Sequence, residues 1–208
     1  MTSEHSPVIP SRSPPSGEAF PLGPELVPRP FVVATMGLPG AGKSVVARAI
    51  EDQLGLRRIC RDQIRAAMFP QCRYTYLEKR AAYRSLLLAL EINCMLGVGS
   101  VIDGMTFSRR SELDRVAEVT AKLGIVTIPL LIECPPELAR SRVARDIAEN
   151  RHIAADRTPE TVNDVIARRE PAPEGTLVVD ATLSEADMCM AAIAAIRDSI
   201  SAAIAAGA

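Results

Sequence analysis

A chain of 208 residues with 48% apolar composition is long enough to bury one core without disulfide or metal staples. Its formal net charge of −1 and its 3% of aromatic residues argue against wholesale capture of nucleic acid or anionic membrane, and against a base-stacking platform. Five widely spaced cysteines with no C-x-x-C, and only two histidines, leave no zinc constellation and point to reduced thiols in a cytoplasmic protein.

Residues 1–30 hold eight of the sixteen prolines, with many serines, and read as a disordered leader. They lack the basic-then-apolar order of a secretory signal. No apolar run in the sequence reads as long enough to span a membrane. The folded domain is expected over 31–208.

It opens with Phe31–Met36, a short apolar run that stops at glycine, as a strand buried on both faces does. A helix follows over about 42–54, then a weak strand over 56–60. The pattern turns helical over 62–69 and 75–96, and Ser100–Asp103 is a short strand. Residues 109–123 read as a helix with Leu113, Val116, Ala117 and Leu123 inward. The run 125–134 is the strongest strand, and Pro135-Pro136 opens another helix. Residues 146–158 are polar and read as a mobile loop. A helix to about 169, a strand over 176–179 and an Ala-rich helix follow. The last helix carries an inward stripe of Ile193, Ile196, Ile200 and Ile204.

Strands alternating with helices predict an α/β fold. Its sheet should have five parallel strands with right-handed crossovers and helices on both faces. Ligands of such sheets bind at the carboxyl ends of the strands. The glycine loop, Asp62 and Asp103 all follow strand ends, so this geometry gathers them at one edge.

Residues 37–44, Gly37-Leu38-Pro39-Gly40-Ala41-Gly42-Lys43-Ser44, match G-x-x-x-x-G-K-[ST] in full. Glycines let the backbone wrap tightly, so that successive N–H groups face phosphate oxygens. The helix that begins there, through Val45, adds its positive end. Lys43, one of three lysines against 21 arginines, is placed to reach the β- and γ-phosphates of ATP, and the Ser44 hydroxyl to reach Mg²⁺. This is a P-loop NTPase pattern.

After the second strand comes Arg61-Asp62-Gln-Ile-Arg65; after the third, Val101-Ile102-Asp103-Gly; then an Arg-rich helix over 137–145. With the glycine loop, these pieces resemble P-loop kinases related to the kinase domain of phage polynucleotide kinase. More distantly they are similar to the zeta-toxin and gluconate-kinase types. The resemblance spans about 31–180. It implies Asp62 as the general base for an acceptor hydroxyl and Arg65 as an acceptor-placing residue. It also implies a helical lid over about 140–170, with Arg145, then Arg142, on the ATP phosphates.

Chemistry supports the first role independently: an alcohol attacking a phosphate must lose its proton, and a carboxylate beside the γ-phosphate can take it. The bland reading of Asp62 is a helix cap. Asp103 ends an apolar strand as a Walker-B-like acid does, and could hold a water of the Mg²⁺ shell beside the acceptor; its bland reading is an Asp-Gly turn. Arg57, Arg58, Arg61, Arg65 and Arg73 fall within seventeen residues, and such a cluster predicts an anionic acceptor. Arg109 and Arg110, at a helix start, hint at an anion nearby.

The expected function is ATP-dependent transfer to a hydroxyl of a small acceptor, such as a metabolite, an antibiotic or a nucleotide end. Long nucleic acid and membrane are not expected partners. Two alternatives stay open: a nucleotide-gated NTPase or interaction protein, and a toxin-like kinase acting on nucleotide sugars.

Overall fold

A computed structural model describes residues 30–149 and 156–205. The expected leader, save Pro30, and the centre of the expected 146–158 loop lie outside these residues. Five strands form one all-parallel sheet: β1 (Phe31–Met36), β2 (Arg57–Cys60), β3 (Ser100–Asp103), β4 (Val126–Glu133) and β5 (Leu177–Asp180), in the order β2-β3-β1-β4-β5. The helices are α1 (Lys43–Leu54), α2 (Arg61–Met68), α3 (Tyr76–Met95), α4 (Arg110–Ala121), α5 (Pro136–Ala148), α6 (Pro159–Arg168) and α7 (Glu185–Ala205).

β1 lies at the centre of the sheet and is buried along its whole length. Successive side chains of a strand point to opposite faces. Phe31 and Val33 accordingly join a core with Val46, Ala47 and Ile50 of α1 and Ala192, Ile193 and Ile196 of α7. Val32, Ala34 and Met36 join the opposite core, with Leu86 and Leu90 of α3 and Leu113 and Val116 of α4. The helices therefore cover both faces, as the apolar run of β1 requires. At Thr35 the strand carries a polar group inward, and its hydroxyl donates to the Ile102 carbonyl at 2.7 Å.

The chain turns one way after β1, to β2, and the other way after β3, to β4, so the switch point lies at the carboxyl end of β1, where the glycine loop emerges. Local signals set the element ends. Thr75 caps α3 in a reciprocal capping box with Glu78, and Pro136 fills the first turn of α5. Gly55 ends α1 in the left-handed conformation, φ 67°.

Three packing expectations are corrected. On α4 the third inward residue is Thr120, not Ala117, because its hydroxyl is satisfied by the Ala117 carbonyl and the Thr127 hydroxyl. The helix stops at Ala121, which leaves Leu123 in the turn and exposed. On α7 the stripe ends before Ile204, which is 41% exposed where the helix runs past the core.

α7 also corrects the expectation about membrane-length segments: by length and composition alone it is apolar enough to span. Met188, Cys189, Ala192, Ile193 and Ile196 pack its inner face on the sheet core, which is what a core helix of an α/β domain needs.

Ile196→Ala is expected to cost roughly 2–5 kcal/mol of stability, as other buried isoleucine truncations do. Ile204→Ala should stay within about 0.5 kcal/mol. Urea unfolding followed by circular dichroism distinguishes the two.

Candidate active site

The loop from Gly37 to Gly42 is shaped by contacts that only glycine tolerates. A Cβ on Gly37 (φ 134°) would lie 2.5 Å from the Ile132 carbonyl oxygen of β4, and one on Gly40 (φ 81°) 2.5 Å from the Ala139 carbonyl oxygen of α5. Gly42, at φ 99°, is the N-cap of α1 and has Met188 of α7 packed against it. The loop is thus pressed from three sides into a cradle over the positive end of α1.

Lys43 turns inward from that helix start. It is buried, and its Nζ donates to the Gly37 and Leu38 carbonyls at 3.0 and 2.7 Å. Burial pulls its ammonium down to about 7, with Arg157 adding to the effect and Asp103 and Asp62 opposing it. The cradle therefore holds a cation that lacks a full complement of counter-charge. An anion placed there would favour its charged form.

The Ser44 hydroxyl donates to Oδ1 of the buried Asp103 at 2.9 Å. The same oxygen accepts the Gly104 N–H at 2.6 Å, so the Asp-Gly turn and the strand-end acid are one arrangement. Oδ2 of Asp103 accepts from Arg58 at 3.0 Å. A serine hydroxyl backed by a carboxylate fits Mg²⁺, which takes one or two protein oxygens and completes its shell with water and phosphate oxygens.

Asp62 is 6% exposed. It does not cap its helix: the N-cap of α2 is Cys60, and the Asp62 carboxylate sits inside the first turn. Its Oδ1 is paired with Arg65 at 3.0 Å and with Arg61 at 3.3 Å. Asp62 is the wall between two cavities. One, about 330 Å³, is lined by the glycine loop, Lys43, Ser44, Arg142, Arg145 and Arg157. The other, about 250 Å³, is lined by Arg65, Phe69, Gln71 and Tyr74 among others. The Arg65 guanidinium, fully buried, lies 4.6 Å from the centre of the Tyr74 ring.

The arginine cluster does not form one open patch. Arg61 and Arg65 are drawn to Asp62 and Arg58 to Asp103, while Arg57 and Arg73 are exposed. The Nε of Arg61 is buried with no partner among the described residues, an N–H left open beside the cradle. Arg142 lines the loop cavity and also donates to the Ala181 carbonyl at 2.9 Å, and Arg145 lines the same cavity. Arg140 faces Glu137 and Asn163, outside the cavity. At the helix start carrying Arg109 and Arg110, the protein's own Glu170 accepts the Arg110 backbone N–H at 2.6 Å.

Arg157 is the residue that the sequence did not reveal. It lines the loop cavity, and burial lowers its pKa while Asp62 and Asp146 oppose that shift. It lies in a stretch without periodicity, so pattern reading had no handle on it. Arg58 was visible only as one of a cluster.

A family model described as an AAA domain matches residues 32–172, more than half of the chain. The chain belongs to the AAA-domain family. Its match takes in β1, the glycine loop, both strand-end acids and α5. Among solved structures, a gluconokinase from Sinorhizobium meliloti 1021 superposes with a TM-score of 0.62 at 18% identity, over 84% of this chain and 96% of that one. A sugar kinase from Janibacter sp. HTCC2649 gives 0.60 at 20% identity, over 80% and 94%. The Mycobacterium tuberculosis APS kinase in complex with AMPPNP and APS gives 0.59 at 18%, over 82% and 99%. At these identities the likeness is one of fold, the P-loop NTPase sheet. No curated protein matches.

Gly40→Ala tests the cradle. Because the added Cβ meets backbone rather than a flexible side chain, it should cost roughly 2 kcal/mol or more, about 4–8 °C in melting temperature for a domain of this size. An unchanged melting temperature would show that the loop is not held against α5.

Proposed function

We propose that this AAA-domain protein is a cytoplasmic ATP-dependent kinase. It transfers the γ-phosphate to a hydroxyl of a small acceptor that carries an anionic group. The observation that carries the reading is Asp62, a buried carboxylate forming the common wall of the phosphate-loop cavity and a second, separate cavity. Two substrates seated in the two cavities would meet at that carboxylate. Similarity of fold to proteins named as sugar kinase, gluconokinase and APS kinase supports the same reading.

In this reading the loop amides and Lys43 bind the triphosphate, and Arg145, Arg142 and Arg157 face its outer oxygens. Ser44, with Asp103 behind it through water, would hold Mg²⁺, which when bound offsets charge on the β- and γ-phosphates. Oδ1 of Asp62 is occupied by the two arginines, while Oδ2 has no hydrogen bond among the described residues and can take a proton. As the acceptor oxygen bonds to the γ-phosphorus, its proton passes to Oδ2. The bond from the γ-phosphorus to the bridging oxygen breaks, and ADP leaves with that electron pair. Arg65, beside Asp62 in the lining of the second cavity, places the anionic group of the acceptor.

The size of the second cavity favours a metabolite-sized acceptor over a nucleic-acid strand. Among the described residues its lining has one cation, Arg65, and no lysine.

Asp62→Asn is expected to lower transfer at least about a hundredfold, the lower range of general-base effects, with ATP binding retained. Full activity in that variant would remove the base assignment. Arg65→Met should raise the acceptor KM with little change in the KM for ATP. A screen of labelled ATP against small-molecule pools in which only neutral alcohols react would remove the anionic part of the proposal. ADP release independent of every acceptor would favour a nucleotide-gated NTPase instead.

A further inference from the structure

A metal-binding serine must turn a lone pair toward the cation, so its proton must go to a fixed acceptor. In this chain the acceptor is Asp103 Oδ1, at 2.9 Å from the Ser44 Oγ. The orientation of Ser44 is therefore only as good as the orientation of the Asp103 carboxylate. Oδ1 also takes the Gly104 N–H, which leaves Oδ2 as the handle by which the carboxylate can be turned.

Arg58 holds that handle at 3.0 Å. It stands on β2 two residues before Cys60, which is paired in register with Asp103, so its side chain reaches along one face of the sheet toward the strand end. Its Nε in turn donates to Glu51 of α1 at 3.1 Å, and its backbone N–H donates to the other Glu51 oxygen at 3.3 Å. Glu51 and Ser44 are seven residues apart on the same helix, two turns along one face. The four groups Ser44, Asp103, Arg58 and Glu51 thus form a circuit that leaves α1 at its first turn and returns to it two turns later.

We propose that Arg58 is a positioning residue for the metal–nucleotide site: anchored by Glu51, it fixes Asp103 as the proton acceptor of Ser44 and as an anchor for metal-bound water. The inference rests on the reading of the loop as a metal–nucleotide site. It makes a prediction opposite to simple charge counting. Removing a positive charge near a cation site should strengthen metal binding, whereas losing the orientation of Asp103 and Ser44 should weaken it.

The test is Mn²⁺ binding in the presence of AMPPNP, followed by electron paramagnetic resonance of free Mn²⁺ on the full chain. Arg58→Met should weaken Mn²⁺ binding about tenfold to a hundredfold, the range for residues that orient metal ligands. Arg58→Lys, which keeps the charge and one bond to Asp103, should recover most of the loss. Glu51→Gln, at a half-exposed position, should weaken binding a few-fold (about threefold), and it carries the test if Arg58→Met does not fold. Mn²⁺ affinity equal to or tighter than wild type in both Arg58→Met and Glu51→Gln overturns the inference alone. If the unmodified chain shows no AMPPNP-dependent Mn²⁺ binding, the reading of the loop itself fails and the inference falls with it.

Discussion

Between Gly37 and Lys43 the backbone runs against the carbonyls of Ile132 and Ala139 with no room for a Cβ. That close approach fixes the shape of the whole site. It sets the first turn of α1, where Gly42 is the N-cap, and places Lys43 and Ser44 at the start of that helix beside the cavity. β4 and α5 supply the two carbonyls, so the packing of the sheet and of α5 shapes the cradle directly. Met188 of α7 presses on Gly42 from the remaining side, which ties the longest helix of the core to the same loop.

Around this cradle the protein places cations and acids in a fixed pattern. Lys43 and Arg157 interact with the same two carboxylates, Asp62 and Asp103, and Arg61 pairs with Asp62. Burial makes each uncompensated charge costly, and the depressed lysine is the visible consequence. A polyanion entering the cavity would meet donors already oriented, which is how preorganised electrostatics stabilise a transferring phosphoryl group. The acids are not equivalent. Asp103 has both oxygens engaged, which suits a residue that orients others, whereas Asp62 has one oxygen unengaged among the described residues, which suits proton transfer.

The parts legible in the sequence are those written in local chemistry. The glycine spacing, the apolar run before it and the strand-end acids each have a physical reason to occur in that order, and the structure puts them at one sheet edge. Strand order followed from the alternation of elements only as far as parallel pairing; the position of β1 between β3 and β4 needed the fold. Periodicity named the inward face of α4 and α7 but not where each helix leaves the core, hence Leu123 and Ile204. Pairings across long sequence distance were not legible at all. The Arg58 guanidinium pairs with Asp103 across 45 positions, and nothing local marks that arginine as already taken; Glu170 likewise accepts the Arg110 backbone N–H across 60 positions. For that reason a run of five arginines suggested one patch, when the fold divides it among two acids and the solvent.

In the proposed function, the Gly37–Ser44 loop grips a nucleoside triphosphate together with a divalent cation. Titrating ATP into the purified chain in magnesium buffer by calorimetry tests it most directly. Saturable binding at one site is expected, and it should be lost when Lys43 is replaced by Ala. A flat titration with ATP and with GTP, from a chain shown to be folded, would contradict it.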